Sequence, residues 1–360
     1  MKIPDTMLAA NLEAKGVIKL VEKPVPTPGP AEVLIRVEAC GVCGGDLKVR
    51  DIGLPGQPPF GEPFTVGHEY AGVVVQCGPT VDEFAVGDRV VVEVHKGCGR
   101  CHNCLMGEYT ACLNFGNKEK GHRANGFTSD GGFAQYAVNH INSVVKIPEG
   151  ISFDQAILIT TAGTALYAYD QMGGYLAGDT VVVVGPGPIG LCLVATAKAL
   201  GAENVVLVGT RKSRLDVGKK LGADYIVNCS AGEDPVALIN ELTGGVGADV
   251  VCDAAGAATS LDTCLNLVRP AGDIVMVAMY KKPITADLGK AVKHNVQLHT
   301  IRGEGRLNVR RALSLMGQGK INLDPLLTHS FPLSQIDQAF TTFEQRIDNA
   351  IKVVVHPQEK

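Results

Sequence analysis

The chain has 360 residues, 46% hydrophobic and 19% charged, with a formal net charge of −4. That length holds about two domains with sizeable cores, and the mild acidity leaves no electrostatic footprint for nucleic acid. No apolar run reaches a membrane span, Met1 begins no basic-then-apolar leader, and the cysteines number eleven, which is odd. A reducing cytoplasm is therefore expected, with free or metal-bound thiols in place of a disulfide framework.

In chain order, the first half reads as β structure. Val33–Val37 alternates, Ala71–Val75 is a run of buried type and Arg89–Val94 is another, with proline and glycine clusters at Pro24–Pro30 and Gly53–Pro63 between them. Within about residues 95–115 comes GCGRCHNCLMGEYTAC, where Cys98, Cys101, Cys104 and Cys112 follow the spacing C-x2-C-x2-C-x7-C. Four thiolates on a tight, glycine-bearing loop make a closed tetrahedral zinc cage, and a cage with no open position is structural.

Asp154–Met172 is long and apolar enough for a helix. Strands and helices then alternate through Thr180–Val184, Ile189–Leu200, Val205–Val208, Leu215–Leu221 and Val250–Asp253. Such alternation implies a parallel sheet with helices on both faces. From about His299 the character is mixed, and the chain closes on a strand, Ile351–Val355.

Val181–Gly190 reads VVVVGPGPIG, an apolar strand running into Gly185-x-Gly187-x-x-Gly190 and then a helix opened by Pro188 and Ile189. Gly185 permits the turn, Gly187 lets a pyrophosphate approach the backbone, and Gly190 lets helix and strand pack closely, with the helix N-terminus facing the phosphates. The following strand ends at Gly209-Thr210-Arg211-Lys212-Ser213-Arg214, where an Asp or Glu would hold the ribose 2′-hydroxyl of NAD. Without that acid a 2′-phosphate is not repelled, and Thr210 and Arg211 offer it donors. Cations at Arg211, Lys212 and Arg214 also sit at the disfavoured end of a helix dipole, a cost that a phosphate offsets. The plain alternative is a solvated basic turn. NADP(H) is the expected cofactor, with NAD(H) open, and Gly209, Thr210, Arg211, Arg214 and Val277 are placed in its site.

Further upstream, Gly67-His68-Glu69-Tyr70-Ala71-Gly72 is followed by Gly78 and by Gly87-Asp88-Arg89-Val90, and preceded by Gly41-Val42-Cys43-Gly44-Gly45-Asp46. With the cysteine cage and the glycine turn, the chain resembles, over essentially its whole length, the zinc-dependent medium-chain dehydrogenase/reductase (alcohol dehydrogenase) family, and within it the sorbitol and threonine dehydrogenase branch. The resemblance implies an α/β fold: a GroES-like, mostly-β catalytic domain (1–153), an inserted Rossmann domain with a doubly wound parallel sheet (154–297), and a return to the catalytic domain (298–360). It implies a catalytic zinc on Cys43 and His68, with Asp46 orienting His68. Glu69 then stands behind the metal or exchanges with water as a ligand. The resemblance also implies contact of Arg302 with an oxygen of a small-molecule substrate, and a homodimer or homotetramer.

The chain departs from that pattern at two catalytic positions. The third zinc ligand of the family is replaced by Thr161, a neutral hydroxyl outside the usual ligand set. Gly45 stands where relatives carry a Ser or Thr whose hydroxyl begins a proton relay, and Lys48 stands where many have histidine. Three alternatives follow. Zinc stays on Cys43, His68 and Glu69, and the enzyme interconverts a secondary alcohol or polyol and a ketone by hydride transfer. Alternatively the catalytic metal is altered or absent and NADPH reduces an activated C=C bond by 1,4-addition, where a hydrogen bond to the anion matters more than a Lewis acid. In the third, the protein binds nucleotide without turnover. The first is expected. Cys40, Cys77, Cys192, Cys229, Cys252 and Cys264 are expected in the core.

Overall fold

The computed structural model describes residues 2–52, 62–174, 176–280 and 282–359, so most of the Gly53–Pro63 cluster lies outside the described residues. The chain forms two compact units, Met1–Thr160 with Leu327–Lys360, and Thr161–Leu326.

The first unit opens with β1 (Thr6–Ala14), β2 (Val17–Pro24), β3 (Glu32–Val42), α1 (Gly44–Ile52), β4 (Phe64–Thr65), β5 (Glu69–Cys77), β6 (Arg89–Val92), α2 (His102–Leu105), β7 (Tyr136–His140), β8 (Val144–Lys146) and α3 (Phe153–Ala156). Strands β2, β1 and β4 form a small sheet, while β3, β5, β6 and β8 run side by side in a larger one, and β7 also pairs with β3. The period of two along β3 sorts its side chains between two covered faces. Val33, Ile35 and Val37 join a core with Tyr70, Val74, Phe133 and Phe340. Leu34 points the other way, among Met7, Ala9 and Tyr136.

Helix α4 (Ile159–Asp170) carries the chain across the unit boundary. The second unit then alternates β9 (Thr180–Val184), α5 (Pro188–Ala199), β10 (Asn204–Gly209), α6 (Lys212–Lys220), β11 (Tyr225–Asn228), α7 (Pro235–Thr243), β12 (Ala248–Asp253), α8 (Ser260–Leu267), β13 (Val268–Met276), α9 (Leu288–Lys293), β14 (Gln297–Thr300) and α10 (Asn308–Gly317). All pairs in this six-stranded sheet are parallel, in the order β11-β10-β9-β12-β13-β14. That is the 3-2-1-4-5-6 order of a dinucleotide-binding sheet, whose order reverses between β9 and β12. A parallel strand covered on both faces has no polar side, and every residue of β9 is buried.

The chain returns to the first unit with β15 (Leu327–Pro332), α11 (Ile336–Gln345) and β16 (Lys352–His356). Strand β16 lies between β15, to which it is parallel, and β3, to which it is antiparallel.

Two boundaries differ from the sequence reading. The helix expected over Asp154–Met172 is two helices, α3 and α4, because Leu158 N–H closes onto the carbonyl of Gln155 at 3.1 Å, a tighter turn than an α-helix makes. The return falls at residue 327, where 298 was expected. Residues 298–326 stay with the second unit because β14 pairs with β13 and because Arg306 and Arg311 bond to Asp170 of α4 at 3.2 and 2.9 Å.

Candidate active site and metal centres

The cysteine lobe is wound so that the thiols of Cys98, Cys101, Cys104 and Cys112 all lie within 4.8 Å of one another. Cys98 and Cys104 are 4.0 Å apart, and Cys101 and Cys112 are 3.9 Å apart. A tetrahedron of thiolates around zinc has an edge of about 3.8 Å, so the donor set fits the metal. Asn114 bonds to two of the sulfurs, its side-chain amide to Cys98 at 3.1 Å and its backbone N–H to Cys112 at 3.4 Å. Burial works against ionisation of Cys98, but the N–H of Arg100 and the Asn114 amide outweigh it and bring the thiol down to about 6. Burial pushes Cys112 up to about 12, so a metal displaces a proton there.

The second cluster is assembled by strand pairing. Cys43 follows β3, and His68-Glu69 opens β5. The antiparallel register sets Gly41 opposite Glu69, which brings the two ends together. The Cys43 sulfur, a ring nitrogen of His68 and a carboxylate oxygen of Glu69 lie within 4.8 Å of one another. Asp46, fully buried at the start of α1, ties the group: its Oδ2 accepts from the Cys43 N–H at 2.9 Å and its Oδ1 meets His68 Nδ1 at 2.9 Å. A carboxylate only accepts, so Nδ1 carries the proton and Nε2 is left to face a metal. Burial works against the charged imidazole, but its neighbours, Asp46 first and then Cys43, outweigh it and hold His68 well above its ordinary value.

Two partners of this cluster escaped the sequence reading. Lys352, on β16, donates to Oε2 of Glu69, and both residues are buried. Its only sequence signal is a lone charge inside an apolar strand. Phe127 stacks on the His68 ring, with centroids 4.3 Å apart and planes at 29°. Nothing in the sequence marked that ring. Thr161 lies buried in α4 and Arg302 is exposed after β14, both in the second unit.

The glycine turn joins β9 to α5 as its spacing requires. Gly185 has φ +108°, and a Cβ there would meet Ala255 N at 2.7 Å. A Cβ at Gly190 would sit 1.9 Å from the Gly185 carbonyl oxygen, whereas one at Gly187 would meet nothing within 4 Å. The turn is thus packed at its two ends and open at its middle, the side from which a pyrophosphate approaches. Pro188 fills the first helical position, where no N–H is needed.

At the end of β10 the three cations have different fates. Lys212 pairs with Asp216 at 2.8 Å. Arg214 is buried, its Nη1 3.5 Å from the Pro186 carbonyl, so it braces the glycine turn. Thr210 and Arg211 are exposed, and among the described residues the Arg211 guanidinium has no hydrogen bond or ion pair. Gly209 packs on the same turn, where a Cβ would lie 2.6 Å from the Pro186 ring. At the end of β12, Asp253 also escaped notice. Its side chain accepts from the N–H groups of Ala255 and Gly256, from Ser260 Oγ and from the Tyr280 hydroxyl, and its carbonyl accepts from Val277 N–H at 3.0 Å.

Comparison with known proteins agrees with this geometry. Residues 29–149 match the alcohol dehydrogenase GroES-like domain, and residues 188–318 match the zinc-binding dehydrogenase family. An L-threonine 3-dehydrogenase of Pyrococcus horikoshii is 36% identical over 325 residues, 89% of this chain and 90% of the relative. A sorbitol dehydrogenase of Halalkalibacterium halodurans is 33% identical, covering 97% of this chain and 98% of the relative. The chain belongs to the zinc-binding alcohol dehydrogenase family. Among solved structures, a zinc-binding dehydrogenase from Sinorhizobium meliloti 1021 bound to NADP superposes with TM-score 0.85 at 28% identity, covering 98% of this chain and all of the other. One described as a short chain alcohol dehydrogenase from E. coli CFT073, complexed with NADH, gives 0.87 at 27%, with the same coverage.

This dehydrogenase is thus an oxidoreductase of a family that works with zinc and NAD(P). No helix among its described residues is long and apolar enough to cross a membrane. Of the six cysteines outside the clusters, Cys40, Cys192, Cys252 and Cys264 are buried as expected and Cys77 is half-buried. Cys229 is a correction: it begins a short turn after β11 at the rim of the sheet and is exposed.

Proposed function

We propose that this dehydrogenase interconverts a secondary alcohol or polyol and its ketone at a zinc held by Cys43, His68 and Glu69. The observation that carries this is the convergence of three donors within 4.8 Å, with Asp46 fixing the tautomer of His68. Thiolate, imidazole and carboxylate are each ordinary zinc ligands, and three of them leave a position open for substrate. The names of the threonine and sorbitol dehydrogenase relatives support the substrate class. When bound, zinc polarises the alcohol oxygen while NAD(P) accepts the hydride from its carbon. Lys352 donates to Oε2 of Glu69, so the carboxylate that joins the donor cluster is also held by a buried ammonium. Thr161 needs no part in the ligand set, and Arg302 is the candidate contact to a substrate oxygen. A 1,4-reductase would have no use for the donor triad.

Metal analysis tests this. Two zinc ions per chain are expected, one for each cluster. One zinc per chain in protein fully active on alcohols would overturn the proposal.

NADP(H) is the preferred cofactor in this reading. Arg211 is the cation at the end of β10 that remains exposed and unengaged, and Thr210 stands beside it. Arg211→Ala should raise the Michaelis constant for NADPH about tenfold or more and leave that for NADH nearly unchanged, since a charged hydrogen bond is worth roughly 1.5–3 kcal/mol. Equal effects on the two would remove the case for the 2′-phosphate.

A homodimer or homotetramer belongs to the same reading. Strand β14 is an edge of the parallel sheet among the described residues, and Leu298 on it is exposed along with Val292 and Met279 nearby in sequence. A reducing cytoplasm suits a protein whose metal ligands include five thiols.

A further inference from the structure

Position 45 carries glycine where the family resemblance expects a hydroxyl, and the structure gives a steric reason. A Cβ at Gly45 would lie 3.0 Å from His68 Cε1, 3.1 Å from Phe127 Cζ and 3.4 Å from His68 Nε2. Contacts of 3.0–3.1 Å require a neighbour to move, and a hydroxyl beyond the Cβ needs more room still. His68 is poorly placed to move, because its Nδ1 is bonded to Asp46, which is itself bonded to the Cys43 N–H. Phe127 would have to give by a few tenths of an ångström, against its stack on His68 and its packing on the core of the first unit.

We propose that Phe127 and Gly45 are an interlocked pair. The Phe127 ring takes the room that a hydroxyl-bearing side chain at 45 would need. Stacked on His68, it also fixes the imidazole plane that Asp46 alone leaves free to rock. Phe127 is a positioning residue, and Gly45→Ser by itself cannot install a relay hydroxyl. The positioning role rests on His68 being a zinc ligand; the steric interlock does not.

Four proteins test the pair: wild type, Gly45→Ser, Phe127→Leu and the double variant. Leucine keeps core contact but lacks both the stacking ring and the far Cζ atom. Thermal unfolding reads the interlock. Retention of the second zinc against a chelator reads the positioning, with the first zinc counted separately. Gly45→Ser should weaken zinc retention and lower the melting temperature when Phe127 is present. Introduced together with Phe127→Leu, its effect should be about tenfold smaller on zinc retention, the non-additivity expected of side chains in contact. Phe127→Leu alone should weaken retention about three- to tenfold, as a lost ligand-orienting contact does, short of unfolding the protein. Additive effects in both readouts would overturn the interlock. Wild-type zinc retention in Phe127→Leu would overturn the positioning role. If wild type itself holds a single zinc, the positioning role falls together with the proposed function, while coupling in the melting temperatures still decides the interlock. Should the double variant fail to fold where both single variants fold, the interlock is also overturned, since relief was expected.

Discussion

Lys352 opens β16 ahead of three valines, and its ammonium meets Glu69 inside the first unit. A buried ion pair adds little stability over an apolar pair, but breaking one strands a charge at a cost of about 3–5 kcal/mol. Lys352→Met is expected to cost that much in urea unfolding of metal-free protein and, if zinc binds at Cys43, His68 and Glu69 as proposed, clearly less with zinc added, because a cation again faces the carboxylate. The sequence shows the lone charge but not its partner, since the pairing exists only once β16 has joined β3 beside β5. The four-cysteine lobe was legible because ligand types and short spacings announce metal chemistry locally, whereas Cys43, His68 and Glu69 were singled out through the family resemblance, and their convergence needs the pairing of β3 with β5. Phe127 was not, because an aromatic residue on a loop has many uses and only its stack distinguishes this one.

Among elements, the β9–turn–α5 unit is the most legible, since its three glycines lie within six residues and act on one another. Their different surroundings make separable predictions. Gly187→Ala should change stability by no more than roughly 0.5 kcal/mol, since nothing lies within 4 Å of the new methyl. Its NADPH dissociation constant, measured by fluorescence titration, should nonetheless rise about tenfold or more through obstruction of the pyrophosphate. Gly190→Ala should lower the melting temperature outright, because its methyl would meet a backbone oxygen at 1.9 Å. The break between α3 and α4 was illegible: Ile157 and Leu158 are as apolar as their neighbours, and both are buried. Strands β1 and β2 also passed unread, since β2 alternates only between half-buried and exposed residues.

At the scale of the whole molecule, the first unit is made from both parts of the chain. His356, at the end of β16, bonds to Asp154 at the start of α3 at 2.9 Å. That hydrogen bond raises the folded pKa of His356 against an opposing effect of burial. A raised histidine pKa gives stability that is fully present below the unfolded value of about 6.5, and that is lost as pH rises through the higher folded value. Asp154→Asn should therefore lower the melting temperature at pH 6 and have a smaller effect at pH 9, in scans across that window. An equal loss at both values would exclude the linkage. The split architecture was foreseen through the family resemblance. The place of return was not, because residues 298–326 have mixed character and only pairing with β13 and the Asp170 ion pairs assign them.

The same split fixes an order of events during synthesis. Glu69 and Lys352 are 283 residues apart, so at about 5–20 residues per second the lysine leaves the ribosome on the order of tens of seconds after the glutamate. Over that interval Thr161–Leu326 is one continuous stretch and can close on itself, whereas the Glu69 carboxylate waits without its ammonium. Cys43, His68 and Glu69 are thus all made well before the ammonium that meets Glu69 in the finished fold. The last strand therefore completes the surroundings of Glu69 only when nearly the whole chain has been made.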